Sequence, residues 1–227
     1  MLKAVIFDFD DTLVRSGRIS FVAHCRAAVK LGWPAPSFPT FLKFWGKPWH
    51  AMIMALFPYH DVNEFIRVYQ KTRANSRYPV IPGALDTINF LHEHHIELGI
   101  LSNKPIEQLH ERISHTALNP KIFSFIFGEQ STQYQKPDSR VFDEVLFHFR
   151  KHNIRKHEML FVGDLIVDYF AARGAGIDFC GVLSGFHSSR KFQKVGLDSN
   201  HLIPSVKYLP DWLIEHHYLK QAHGKGF

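Results

Sequence analysis

Residues 3–14, Lys-Ala-Val-Ile-Phe-Asp-Phe-Asp-Asp-Thr-Leu-Val, restrict the possible folds more than any other stretch of this chain. The apolar run from Ala4 to Phe7 reads as a buried strand, and it breaks directly into Asp8, Asp10 and Asp11, followed by Thr12. Carboxylates crowded at a strand end raise one another's pKa, and a bound cation relieves that cost. Carboxylates and backbone carbonyls are the ligands a hard ion such as Mg²⁺ prefers. The carboxyl end of a parallel strand is also where open α/β sheets bind their ligands. The competing reading is an Asp-rich turn leaving an ordinary strand.

The bulk properties narrow the function classes. An apolar content of 45% and a charged content of 21% are those of a globular protein, and 227 residues accommodate one large domain or a core plus an insert. The net charge of +6 comes from scattered Lys and Arg, with no basic run and no nucleic-acid motif, so nucleic acid is not expected as a partner. A cationic surface that attracts small anions fits better. The sequence shows neither an apolar run long enough for a membrane span nor a signal-peptide pattern at Met1-Leu2-Lys3, and a cytoplasmic location is the expectation. Cys25 and Cys180 both sit among apolar residues and read as free thiols. The sixteen His lack metalloenzyme spacing, and the pairs His94-His95 and His216-His217 read as solvated helix faces.

Short apolar segments at 96–101, 123–127, 159–162 and 179–183 alternate with helical patterns at 84–94, 105–114, 138–151 and 165–174. That alternation predicts an α/β fold, a doubly wound, Rossmann-like parallel sheet, with a last helix near 207–219 at the sheet edge. Residues 16–80 break the rhythm. They contain helical stretches at 17–31, 38–45, 48–57 and 61–76, punctuated by Pro34, Pro36, Pro39, Pro48 and Pro58. A structureless crossover of that length is implausible. The expected organisation is therefore a core of residues 1–15 and 81–227 with a helical cap domain, 16–80, inserted after the first strand. Residues 15–17 would lead out and 79–83 would lead back, and the tail, 221–227, is expected to be disordered.

Each later strand that matters ends in a polar group suited to phosphate or metal. The segment Leu98-Gly99-Ile100-Leu101 runs into Ser102-Asn103-Lys104, a hydroxyl followed by backbone N–H groups at a helix start, which makes either an anion site or a plain N-cap. In Lys136-Pro137-Asp138 the lysine stands just ahead of a helix start, free to reach a phosphate or simply solvated. In Gly163-Asp164-Leu165-Ile166-Val167-Asp168 the two carboxylates, four residues apart, can face one point, and Gly163 permits close backbone approach. A helix cap plus a surface Asp is the alternative there. Together and in this order, the groups are hard to explain as caps.

In these four segments, Asp8-Phe9-Asp10-Asp11-Thr12, Leu101-Ser102-Asn103, Lys136-Pro137-Asp138 and Gly163-Asp164 through Asp168, the chain resembles the haloacid dehalogenase superfamily, in its phosphatase branch. The likeness spans nearly the whole chain, since 16–80 matches that family's helical cap of the first type. Pro82-Gly83-Ala84 and Ala171-Ala172-Arg173-Gly174-Ala175-Gly176 look like its phosphoglycolate-phosphatase-like members. The resemblance implies a Mg²⁺-dependent phosphomonoesterase acting on a small phosphorylated molecule. Asp8 would be the nucleophile and form an aspartyl-phosphate, and Asp10 the general acid and then base. Asp8, the Asp10 backbone carbonyl and Asp164 would hold the metal, and Ser102, Asn103 and Lys136 would line the phosphate site. Thr12 and Asn103 would support the site by hydrogen bonds, and Asp168 would act beside the metal. Asp11 has no chemical role and would shape the turn into the cap.

Three alternatives stay open. A phosphomutase of the β-phosphoglucomutase type shares the core, motifs and cap and differs in the phosphoryl acceptor. A non-catalytic binding or regulatory protein is disfavoured by the complete acidic set. A dehalogenase is disfavoured because those members lack an acid/base Asp at the position of Asp10. Substrate choice is expected in Phe44-Trp45-Gly46-Lys47-Pro48-Trp49, with Lys47 meeting a second anionic group and Trp45 or Trp49 walling the pocket, or else packing in the cap core. Arg15 and Ser16 at the hinge are lesser candidates. Oligomeric state, monomer or dimer, is not legible.

Overall fold

The computed structural model describes residues 1–73 and 76–219; the tail at 221–227 lies outside them. The first strand, β1 (Ala4–Phe7), has all four residues buried. A strand that is apolar on both faces can only sit mid-sheet under cover on both sides. It does so here. The sheet runs β3-β2-β1-β4-β5-β6, and all its pairings are parallel. The partners are β2 (Glu97–Leu101), β3 (Phe125–Phe127), β4 (Met159–Gly163), β5 (Asp178–Val182) and the two-residue β6 (Leu202–Ile203). The doubly wound sheet expected from the strand–helix alternation is the observed one.

Four helices fill the gap between β1 and β2: α1 (Gly17–Lys30), α2 (Phe38–Phe44), α3 (Trp49–Leu56) and α4 (Val62–Arg73). They bury an apolar cluster of their own, in which Ala27, Ile53, Phe65 and Tyr69 meet. The chain leaves and re-enters the sheet side by side. Arg15 N–H donates to Pro79 O at 2.8 Å, Ile81 N–H donates to Leu13 O at 2.8 Å, and Val14 bridges Val80 antiparallel.

The rest of the chain covers the sheet. On one face α5 (Ala84–Glu93), α6 (Ile106–Ser114) and α10 (Leu209–Glu215) pack Ile88, Leu109 and Leu213 onto Val5, Phe7 and Val162. On the other, α7 (Asp143–Arg150), α8 (Ile166–Ala175) and α9 (Ser189–Lys194) pack Phe149, Ala172 and Phe192 onto Ile6, Phe161 and Phe179. Two details differ from the sequence reading. The C-terminal helix packs on α5 rather than at the sheet edge, which β6 occupies, because Leu209, Trp212 and Leu213 belong to the face-covering core. The third strand starts at Phe125, because the preceding residues close a 3-10 turn, Pro120–Ile122. Among the described residues no helix is long and apolar enough to cross a membrane.

Candidate active site

Strand order reverses between β1 and β4, and an open sheet leaves its ligand crevice at such a point. Phe7 is level with Ile100 of β2 and Val162 of β4, so Asp8, Ser102 and Asp164 leave the sheet close together. Lys136 enters from the loop after β3. Its ammonium is buried 2.7 Å from Asp8 Oδ1 and 2.6 Å from Asp168 Oδ1, and it donates to Leu101 O at 3.1 Å. Asp168 is fixed in turn by the Leu165 N–H, which donates to its Oδ2 at 2.9 Å. Gly163 is needed there: a Cβ on it would stand 2.6 Å from that same oxygen. Thr12 Oγ1 donates to Asp164 Oδ1 over a long 3.4 Å.

The electrostatics follow from burial against charge. Burial pushes Asp8 up to about 7, against the pull of Lys136, with Asp168 and Asp10 adding to the rise. Burial likewise raises Asp164 well above the usual carboxylate range, with Asp11 and Asp8 adding to it. Burial opposes the charge of Lys136, but Asp168 and Asp8 outweigh it and hold the ammonium protonated. Asp8, Asp164 and Asp168 each offer an oxygen within 4.8 Å of the others. Asp164 Oδ2 is buried without a hydrogen-bond partner, which is costly in a carboxylate. An all-oxygen set with an orphaned carboxylate oxygen fits a hard divalent cation. Asp168, already held by Lys136, fits a supporting place beside it.

Asp11 lies apart from that chemistry. With φ at 57° it turns the chain, and its carboxylate accepts from Ser16 N–H at 2.9 Å and Gly17 N–H at 3.1 Å at the start of α1. Burial raises it to about 6, against those two hydrogen bonds.

Asn103 makes the supporting hydrogen bonds expected of it. Its amide nitrogen donates to Gly46 O at 2.9 Å and Lys136 O at 2.8 Å, and its oxygen accepts from Lys136 N–H at 2.9 Å. Both amide hydrogens are committed, so the side chain ties Lys136 to the insertion and has no donor left for a phosphate. Ser102 keeps its place in the cavity wall, its hydroxyl accepting from Lys104 N–H at 3.3 Å.

A cavity of about 50 Å³ opens over these groups, walled by Asp8, Asp10, Ser102, Lys104 and Lys136 below and by Trp45, Lys47 and Trp49 above. Each tryptophan also packs inward, Trp45 stacked on Phe41 and Trp49 against Tyr69. Lys47 is exposed at the rim beside the Phe44 ring. Gly46, at φ +92°, lets this turn approach the core, since a Cβ would lie 2.4 Å from Leu165 Cδ1. Arg15 is exposed at the hinge and Ser16 caps α1 through its backbone, and neither lines the cavity.

Two cations escaped the sequence reading. Lys104 Nζ lies 2.7 Å from Asp10 Oδ2, and Arg112 Nη1 donates to Asp10 Oδ1 at 2.9 Å. Burial works against a charged Asp10, but Lys104 and Arg112 outweigh it and hold its pKa low. Burial and Arg112 bring Lys104 down to about 8, against the pull of Asp10. Lys104 was within reach of sequence reasoning, directly after Ser102-Asn103. The signal for Arg112 is an arginine on the buried stripe of α6, beside Gln108, Leu109 and Ile113.

A doubly wound sheet with acidic, hydroxyl and lysine groups gathered at its switch point is suited to an anionic ligand beside a divalent cation. The chain belongs to the haloacid dehalogenase-like hydrolases, whose family pattern matches residues 5–182. It is 29% identical over 126 residues to phosphoglycolate phosphatase 1 of Pseudomonas aeruginosa, a match over 56% of this chain that spans only 44% of that protein's length. It is 24% identical over 196 residues to the phosphoglycolate phosphatase of Photorhabdus laumondii, covering 82% of each chain. In structure it is similar to a predicted phosphoglycolate phosphatase from Haemophilus somnus, with TM-score 0.82, 19% identity, and 92% and 97% of the two chains covered. Family and relatives bear out the expectation of a hydrolase of the phosphomonoesterase class.

Proposed function

We propose that this chain is a Mg²⁺-dependent phosphatase for a small phosphorylated metabolite, working through an aspartyl-phosphate on Asp8. The observation that carries the reading is the Lys136 ammonium 2.7 Å from Asp8 Oδ1, a positive charge beside the oxygen that would attack phosphorus. An Asp8 oxygen bonds to phosphorus as the ester P–O bond breaks, and Asp10 gives its proton to the departing alcohol. Asp10 then takes a proton from the water that attacks the phosphorus and frees Asp8. The cations on Asp10 favour its ionised form, the one this second step uses. The negative charge of an arriving phosphate raises its proton affinity for the first.

Ser102 and Lys136 would bind the phosphoryl oxygens, and Asn103 would hold Lys136 in register with the Gly46 turn. Asp8, the Asp10 carbonyl and Asp164 would hold Mg²⁺, which when bound supplies charge neutralisation at the phosphoryl group. Residues 16–80 would act as a cap that closes the cavity, with Trp45, Lys47 and Trp49 choosing the substrate. The small cavity and the basic rim support a short substrate with a second anionic group. Two unpaired cysteines, Cys25 and Cys180, accord with a cytoplasmic setting.

The test is phosphate release from a panel of phosphorylated metabolites, headed by phosphoglycolate, with Mg²⁺ and with chelator. The expected result is hydrolysis by the wild type, none with chelator and none by folded Asp8→Asn. Strict dependence on a sugar bisphosphate would move the reading to a mutase, and no turnover by folded wild type would leave a binding protein.

A further inference from the structure

In the proposed reaction Asp10 must face the position that the leaving alcohol and then the attacking water occupy, yet it stands beyond the end of β1, outside the ladder. Its two oxygens are held differently. Lys104, on Oδ2, is part of the cavity wall. Arg112, on Oδ1, stands behind Asp10 and outside that wall, its side chain only 2% exposed.

The guanidinium is bound on more than one side. Nη1 donates to Asp10 at 2.9 Å, Nη2 donates to Ser20 Oγ at 3.3 Å, and Cζ lies 4.2 Å from the centre of the Tyr78 ring. Those partners come from different parts of the chain: the loop after β1, helix α1 of the insertion and the segment returning from it. A lysine's donors radiate from one nitrogen, whereas the planar fork of arginine holds Asp10 and Ser20 on two separate nitrogens in a fixed plane. Stability alone is a poor reason to bury such a pair, because apolar side chains in place of both partners are often as stabilising.

We propose that Arg112 is a positioning residue, locking the Asp10 carboxylate in the orientation for proton transfer and tying it to the insertion through Ser20. This rests on the reading of Asp10 as the acid. The substrate does not meet Arg112, so the effect passes through the proton delivered to the leaving group.

Two esters of similar size separate that role from a structural one. Ethyl phosphate needs a proton on its leaving alkoxide; acetyl phosphate releases acetate, which departs without one. The value of kcat/KM covers the steps through the first phosphoryl transfer, so it isolates this half of the reaction. General acid catalysis contributes roughly 10²–10⁴-fold, and misplacing the acid should forfeit part of that. In Arg112→Met we expect kcat/KM for ethyl phosphate to fall about 10–100-fold while that for acetyl phosphate stays within about threefold. Arg112→Lys should fall between, and Ser20→Ala should lower the same ratio least. If Arg112→Met does not fold, as judged by circular dichroism, a lowered ratio in the other two variants still supports the proposal. Equal losses on both esters, or an unchanged ratio in every folded variant, overturn it. A wild type inactive on both esters and on the metabolite panel would instead overturn the phosphatase reading beneath it.

Discussion

Asp8, Ser102 and Asp164 stand on backbone fixed by a parallel ladder, one residue beyond β1, β2 and β4, and their positions follow from the pairing register. Trp45, Lys47 and Trp49, across the cavity, ride on a turn between two short helices. That turn reaches the core through the Asn103–Gly46 hydrogen bond and the contact of Gly46 with Leu165. The lower wall is buried and charged, so any change there has to be re-solvated or left unpaired. The upper wall is half-buried and aromatic, with its lysine already in water. In the proposed reading, chemistry sits where substitution is expensive and selectivity where it is cheap.

The sharpest way to break that contrast is Lys136→Ala. Removing it strands Asp8 and Asp168 in a buried site, and we expect a loss of about 3–5 kcal/mol in denaturant unfolding, together with near-complete loss of phosphate release. A variant as stable as the wild type would mean that the lower wall is not under the electrostatic strain described.

The second effect is smaller and depends on pH. Asp8, Asp11 and Asp164 bind protons more tightly in the folded chain than in the unfolded one. Their contribution to stability is therefore full below about pH 4 and is lost as pH rises through about 7. Asp10, shifted downward, works in the opposite sense. Mg²⁺ held by Asp8 and Asp164 would compete with their protons, so adding it at 100 times its Kd should stabilise the fold by roughly 2–3 kcal/mol at about pH 7.5, and the same concentration should raise Tm less at about pH 5. Asp164→Asn should abolish most of the increment, and an equal response at both pH values would contradict the shared site.

The smallest expected effect is on the upper wall. Lys47→Ala should leave unfolding within about 0.5 kcal/mol of the wild type while lowering kcat/KM about tenfold for substrates with a second anion and leaving singly anionic ones alone. A uniform loss would make Lys47 part of the phosphate site, and no loss would remove it from substrate choice.

Asp8, Ser102 and Asp164 were legible because each follows an apolar run, and apolar runs bounded by polar groups mark strand ends. The insertion was legible as helices, since 17–31 and 61–76 lie close to α1 and α4. Short elements were not. A two-residue strand such as β6 has no period, and α9 spans six residues. The Asp10–Arg112 pair joins positions 102 residues apart, a distance over which periodicity says nothing. The partners of Asn103, backbone atoms at 46 and 136, are distant in sequence and could not be read from its neighbours.

The paired segments at 13–15 and 79–81 bear on how the chain could be assembled and altered. Ala4 of β1 must find Glu97 of β2 across an intervening stretch of more than ninety residues. Closing a loop costs entropy that grows only logarithmically with length, about 0.6 kcal/mol per doubling, and a zipped stalk hides the insertion from that cost. What the sheet joins is a short hairpin with a helical bundle hung from its tip. Such a bundle can be lengthened, shortened or exchanged between relatives without moving Asp8 from its strand end.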